Sequence, residues 1–407
     1  MNLRYRLISL SAPILALSLS VLLTSLILTA IGKDPIETFV LMYDYGTTGK
    51  SLVSVFNRFI PLYISAIAVA VGFKMGLFNI GVEGQYLLSA LLAAAIGASF
   101  SVSRPLHILL IMLIATAISS VWGAIAGYLK VSRGIHEVIS TIMLNYIGTG
   151  IIAYLLGQVF NDEDAANLIP QTTPLPETGQ IPSLNNLLNI EELPSLHGFL
   201  PIAIFLGLIY YFLIWKTTLG YNLRITGQIP SLNNLLNIED LPSLHGFLPI
   251  AIFLGLIYYF LIWKTTLGYN LRITGQNPTA AKFSGVDPKR LTMLAMVISG
   301  GFAGLVGMGP LLSYHHQYSI DFPAGIGFAG IGVALLGRNH PVGMAFGAIL
   351  FAFLERSSQI LDLRDVPKEI ETMMSAFILL IVVVFYEVIR RYIVTQQIKE
   401  ASRQVDD

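Results

Sequence analysis

The segment KMGLFNIGVEGQ, Lys74 to Gln85, sets Asn79, Glu83 and Gln85 among three glycines between two apolar runs. A carboxylate at membrane depth is expensive unless it faces a partner or a water-filled path. Glycine permits close helix contact or irregular backbone, which a membrane tolerates only where it is buried or lines a cavity. Two readings follow: polar residues along a solute path, or a tight turn in which Glu83 is the N-terminal charge of the next helix. Further along, Asn145 and Thr149 stand four apart, with Ser140 and Thr141 a turn earlier. One polar helical face suits a pore, but Ser and Thr also bond helix to helix. Interhelical bonding is the reading for the hydroxyls, and Asn145 is the pathway candidate.

A third cluster is Tyr314, His315, His316, Gln317, Tyr318 and Asp321. Adjacent histidines point in different directions on a helix or a strand, and no H-E-x-x-H accompanies them. An interfacial loop therefore fits better than a metal site, and an intramembrane enzyme would rest on this cluster alone. YGTTGKS, Tyr45 to Ser51, imitates a phosphate loop, but Asp44 stands where G-x-x-x-x-G-K-[ST] requires glycine. The segment is expected to bind no ATP. With no other phosphate loop in the chain, ATP-driven work, with its ATP and Mg, must come from a partner.

These groups need elements to hold them, and composition says which. Of 407 residues 54% are apolar and 12% charged, and the mean hydropathy is +0.70. Soluble domains carry about 25% charged residues, so half the usual charge is missing and the chain reads as a polytopic membrane protein. Lys+Arg and Asp+Glu are 24 each, for zero net charge, which argues against nucleic acid as a partner. The absence of cysteine excludes disulfides, thiolate catalysis and cysteine-bound metals.

A spanning helix needs about 20 mostly apolar residues. Ten runs qualify: 7–32, 55–73, 84–100, 107–129, 137–158, 246–263, 291–313, 324–337, 341–355 and 370–389. The first exceeds the length of a signal-peptide core and reads as an uncleaved helix. With both termini cytoplasmic, fifteen Lys and Arg fall inside and seven outside, leaving aside Lys216 and Arg224. That is the positive-inside bias. The expected fold is an all-α transmembrane bundle, a single domain over 1–407. The Gly- and Pro-punctuated stretch around 324–341 suits a broken or re-entrant helix near the pathway, or tight small-residue packing.

Residues 179–226 recur as 227–274, differing only in Glu192 against Asp240. Structural repeats normally diverge to pattern-level similarity. Near-identity instead points to a recent in-frame duplication or an assembly error, and without it the chain has 359 residues. The copied unit carries one apolar run, 198–215, repeated at 246–263. A further span would invert everything downstream against the charge bias, so one copy is expected not to span. The second copy, continuous with the downstream cytoplasmic loop, is favoured as the functional span.

The segment GQNPTAAKFSGVDPKR, Gly275 to Arg290, carries two capping devices, Asn277-Pro278 and Asp287-Pro288. They predict a short helix over 278–284 and a second that opens the next span. Small residues in it suit docking against another protein, and an ordinary capped connector has the same pattern.

FNIGVEGQ, HEVISTIMLNYI from His136, TTLGYNLRITGQNPTAAKFSGVD from Thr265 and GIGVALLGRNHPVG from Gly330 occur in that order. Together they resemble bacterial ABC importer permeases of the simple-sugar and nucleoside group, served by a basic-membrane-protein lipoprotein. FNIGVEGQ resembles the longer of two paired permeases. Related permeases often carry aspartate or threonine where this chain has Ala329. The resemblance implies ABC ATPase subunits, a second permease, an extracytoplasmic binding lipoprotein and alternating access in the bacterial inner membrane. It also implies that 275–288 is the loop contacting the ATPase, through Gly275, Asn277, Pro278, Ala280, Ala281, Lys282 and Gly285. Asn79, Glu83, Gln85 and Asn145 are the candidates for path or gate. A secondary transporter would need intramembrane carboxylates in two matching halves, which the chain lacks apart from Glu83. A transport-inactive duplication variant is the remaining alternative.

Overall fold

The computed structural model describes residues 3–162, 169–181 and 247–384 apart from a few positions near the end, with side chains from residue 17 onward. All described regular structure is helical, save an isolated bridge between Gln171 and Ser319. The first copy of the repeated apolar run, 198–215, lies outside the described residues.

The helices begin where the sequence supplies acceptors for the first free N–H groups. α1 is Leu3–Ala30. α2, Pro35–Gly46, is capped by Asp34, whose side chain accepts from Ile36 and Glu37 N–H at 2.8 and 3.2 Å. α3, Gly49–Lys74, starts at Thr48. α4 is Val82–Ala98, and α5, Arg104–Arg133, stops at Gly134 with φ 69°. α6, Glu137–Gln158, is capped by the His136 ring. α7, Leu248–Lys264, meets α8, Thr266–Gln276, at a bend of 69°. α9, Pro278–Phe283, is capped by Asn277, and α10, Pro288–Gly304, by Asp287. α10 runs on through a short turn at Met308–Pro310 and a π turn at Leu311–His315. α11 is Ile326–Leu336 and α12 Pro341–Ser358. A last helical stretch begins at 369.

Ten apolar runs do not yield ten full-length spans. Five described helices are long and apolar enough to cross a membrane, or up to seven if each bent pair counts as one. The runs at 84–100 and 324–337 become α4 and α11, of 17 and 11 residues, short of the ~20 that a hydrocarbon core requires. The stretch after α1, between the first two apolar runs, turns through 117° into α2.

α3 is the core of the bundle. Every residue from Phe59 to Gly72 is buried, as expected of a helix that is apolar all round. It packs against α7, α10, α11 and α12, while α5 lies along α10 in the most extensive helix pair. That pairing depends on close approach: a Cβ at Gly300 would stand 2.5 Å from the Ser119 carbonyl oxygen. Gly300→Val is expected to cost roughly 1–3 kcal/mol by forcing the helices apart. At Gly150 nothing lies within 4 Å of such a Cβ, so Gly150→Ala is expected to be neutral or slightly stabilising. Thermal unfolding of the two purified variants checks the contrast.

At one end of the bundle residues 169–181 lie across the π turn. Thr172, Leu175 and Ile181 donate their N–H groups to the carbonyls of Tyr318, His316 and Leu312 at 2.7–2.8 Å. The opposite end is basic. Lys74 stands over the Trp263 ring at 4.8 Å, within electrostatic reach of Arg272 and Arg338. Burial, and then the Lys74 charge, holds the His340 ring below its ordinary pKa.

Candidate functional site

The four polar residues singled out in the sequence converge on one junction. The loop between α3 and α4 turns at Gly76, φ 72°, and brings the Asn79 side chain inward. Asn79 Nδ2 donates to Gln85 Oε1 at 3.0 Å and to Ser299 Oγ at 2.8 Å. Ser299 Oγ donates in turn to the Ala68 carbonyl at 2.7 Å. Asn79 Oδ1 accepts from Gly81 N–H at 3.1 Å and from Gln85 Nε2 at 3.3 Å. One amide thus ties its own loop to α3, α4 and α10.

Asn145 reaches the same loop from α6. Its Oδ1 accepts from Gly84 N–H and its Nδ2 donates to the Ile80 carbonyl, both at 3.0 Å. α4 has no cap of its own, so Asn145 supplies an acceptor for its first turn. Among the described residues the Ser140, Thr141 and Thr149 hydroxyls of α6 bond within their own helix. Ser140 and Thr141 donate to the Glu137 carbonyl and Thr149 to that of Asn145, the back-bonding open to a hydroxyl in a helix.

Glu83 points the other way, into the start of α11. Its Oε1 accepts from Gly325 N–H at 2.6 Å and its Oε2 from Gly327 N–H at 2.8 Å. The Tyr86 hydroxyl stands 3.1 Å from Oε1 and 2.9 Å from the Pro323 carbonyl. α11 also lacks a cap of its own, and a carboxylate at a helix N-terminus satisfies free N–H groups and complements the dipole. Asn79, Glu83, Gln85 and Asn145 are all buried. Their polar atoms join α3, α4, α6, α10 and α11 at one level.

A second group lies at the basic end. Gly275 packs on the backbone where α3 ends: a Cβ there would come within 2.6 Å of the Lys74 carbonyl oxygen and 2.7 Å of the Met75 carbonyl carbon. Asn277 Oδ1 accepts from Ala280 N–H at 3.0 Å, and Pro278 opens α9. Ala281 is buried beneath the short helix, while Ala280, Lys282 and Gly285 are exposed. Beside it a cleft of about 320 Å³ is lined by Gly76, Lys130, Thr274, Pro278 and Lys289, among others. The sequence reading missed Phe283, which ends α9 and is 88% exposed. A lone aromatic in a capped six-residue helix outside every apolar run was the signal that marked it.

The histidine cluster belongs to neither group. His315 is sandwiched between Tyr314 and Phe322, with centroids 4.5 and 5.5 Å away, and Gln317 Nε2 donates to Gln171 Oε1 at 2.6 Å. Among the described residues no cluster of His, Asp and Glu could hold a metal ion. YGTTGKS spans the end of α2 and the start of α3, with Thr48 as the α3 cap, a helix-to-helix corner rather than the strand-to-helix corner of a phosphate loop.

Residues 51–383 match the family described as branched-chain amino acid transport system / permease component. The chain belongs to that family. The permease is similar to the guanosine ABC transporter permease protein NupP of Bacillus subtilis, 30% identical over 94% of this chain and 95% of that one. The nucleoside ABC transporter permease protein NupB of Lactococcus lactis is 29% identical over 91% and 90%. The glucose ABC transporter permease protein TsgB13 of Haloferax volcanii is 24% identical over 93% and 88%. No solved structure matches. The protein is a multi-pass permease subunit of an ABC importer.

Proposed function

We propose that this permease carries a nucleoside or a simple sugar inward across the bacterial cell membrane, with both termini cytoplasmic. The observation that carries the reading is the near full-length likeness to permeases named for guanosine and nucleosides, with the sugar alternative resting on the glucose permease. The Lys and Arg bias supports placing the basic end, and α9 with it, on the cytoplasmic side. There separate ATPase subunits, using ATP and Mg, engage residues 275–288. A second permease and an extracytoplasmic binding lipoprotein complete the importer.

In this reading ATPase closure pushes α9. Gly275, packed on Lys74 and Met75, passes the push to the loop that Asn79 anchors. Asn79 and Gln85 link that loop to α10, and Asn145 and Glu83 link α4 to α6 and α11. The four residues keep the gate helices in register as they tilt.

The test is uptake by proteoliposomes holding the whole importer and ATP, with radiolabelled guanosine, glucose and leucine supplied separately. ATP-dependent accumulation of guanosine or glucose, but not leucine, is the expected result. Leucine uptake alone would overturn the substrate reading, and uptake without ATP would overturn the coupling.

A further inference from the structure

Ionisable side chains from three helices meet far from the basic end. Arg58 Nε donates to Glu355 Oε2 at 2.6 Å, joining α3 to α12. Glu371, at the start of the last helical stretch, lies within electrostatic reach of both. Tyr314, on the π turn, also feels the Arg58 and Glu355 charges. Arg58 is sixteen residues before Lys74 along α3, and Glu355 fourteen after Pro341 along α12. At 1.5 Å per residue these are about 24 and 21 Å of helix, within a hydrocarbon core of about 30 Å.

The pair is not sealed. The Arg58 side chain is 25% exposed and that of Glu355 38%, and Tyr314 is 43% exposed. Charges at that depth are costly against lipid and mark polar pathways. Ser313 Oγ and His316 Nδ1, on and just after the turn that carries Tyr314, are buried with no hydrogen-bond partner among the described residues. π turns recur at functional sites.

We propose that Arg58, Glu355, Glu371 and Tyr314 form a membrane-level subsite for a neutral vicinal diol, the ribose of a nucleoside or the ring of a hexose. Guanidinium and carboxylate held side by side offer a fixed donor and a fixed acceptor. Two neighbouring hydroxyls answer both, since each donates and accepts. An ionic solute would meet a repelling sign on one side of the pair. The Tyr314 ring supplies an apolar face for the sugar. The proposal rests on the solute class proposed above and goes beyond it by placing the contact.

The chain has no cysteine, so Tyr314→Cys gives it a single thiol. The assembled importer in proteoliposomes is treated with a sulfonated fluorescent maleimide, and labelling is read on this chain's band. Phe346→Cys, at an exposed apolar position of α12, is the lipid-facing reference. The thiol at 314 is expected to react while that at 346 stays silent. Saturating guanosine or glucose should slow the reaction roughly threefold or more, as majority occupancy requires, and the 2′,3′-dideoxy analogue should not. Glu355→Gln, made without the cysteine, should raise the KM for guanosine uptake by about tenfold with little change in maximal rate.

A silent thiol at 314 would mean that lipid or the second permease covers the cluster, and would overturn the subsite. Labelling indifferent to diols, together with an unchanged KM in Glu355→Gln, would overturn it as well. Unmutated importer that accumulates neither guanosine nor glucose strikes the solute class itself. Normal uptake with diol-indifferent labelling strikes only the subsite.

Discussion

Glu83→Ala is expected to destabilise the permease by about 2–4 kcal/mol, a large fraction of the stability of an ordinary domain. The carboxyl group is the acceptor for Gly325 and Gly327 N–H at the start of a helix with no other cap. Alanine leaves the buried Gly327 N–H without a partner and takes the acceptor from the exposed Gly325, and an unsatisfied buried group costs roughly 1–3 kcal/mol. Water cannot compensate readily at Gly327, because Glu83 is itself buried beside a fully buried Tyr86. Glu83→Gln keeps one acceptor oxygen but turns an amide N–H toward a backbone N–H, so it should fall between wild type and alanine. Thermal unfolding of the purified chain in detergent orders the three proteins. Equal melting temperatures for wild type and Glu83→Ala would show that α11 finds another acceptor, and the capping role would be abandoned.

The same contact shows what the sequence could and could not disclose. Glu83 stood out from its neighbours alone, a carboxylate among glycines and apolar residues. Its partners lie more than 240 positions away, and no local pattern encodes that pairing. Arg58 and Glu355, 297 positions apart, were hidden for the same reason. Features that depend on short-range chemistry were legible. Asn277-Pro278 and Asp287-Pro288 start helices where the capping rule puts them. The predominantly apolar stretch from Phe59 to Gly72 matches a helix segment buried on every side. Span counting failed where hydropathy runs past the helix that carries it, as at 324–337, where glycines and the corner at Gly325 leave only α11. The α6 hydroxyls were misassigned because an alternative acceptor, the carbonyl three or four residues back, is always available to Ser and Thr in a helix.

Phe283→Ala is expected to uncouple the importer while leaving the permease folded. The ring is 88% exposed, so truncating it removes little packing within this chain, and the melting temperature should stay within the small range of surface substitutions. An aromatic that exposed gains little from its own chain, yet aromatic side chains dominate the energetics of interfaces once buried against a partner. Loss of such an anchor is worth about 2 kcal/mol or more, which is roughly a thirtyfold weaker association with the ATPase. Co-purification of ATPase with the permease, and solute-stimulated ATP hydrolysis in vesicles, should both fall accordingly. Asn277→Ala is the informative companion. It removes the acceptor for Ala280 N–H and should cost about 1 kcal/mol in α9 itself, a milder defect that acts by loosening the helix rather than deleting its contact. Raising the ATPase concentration should therefore rescue both variants, Asn277→Ala the more readily. Full coupling in Phe283→Ala at limiting ATPase would show that the ring is not buried on docking, and the proposed contact would then have to run through the small residues of 275–285 alone.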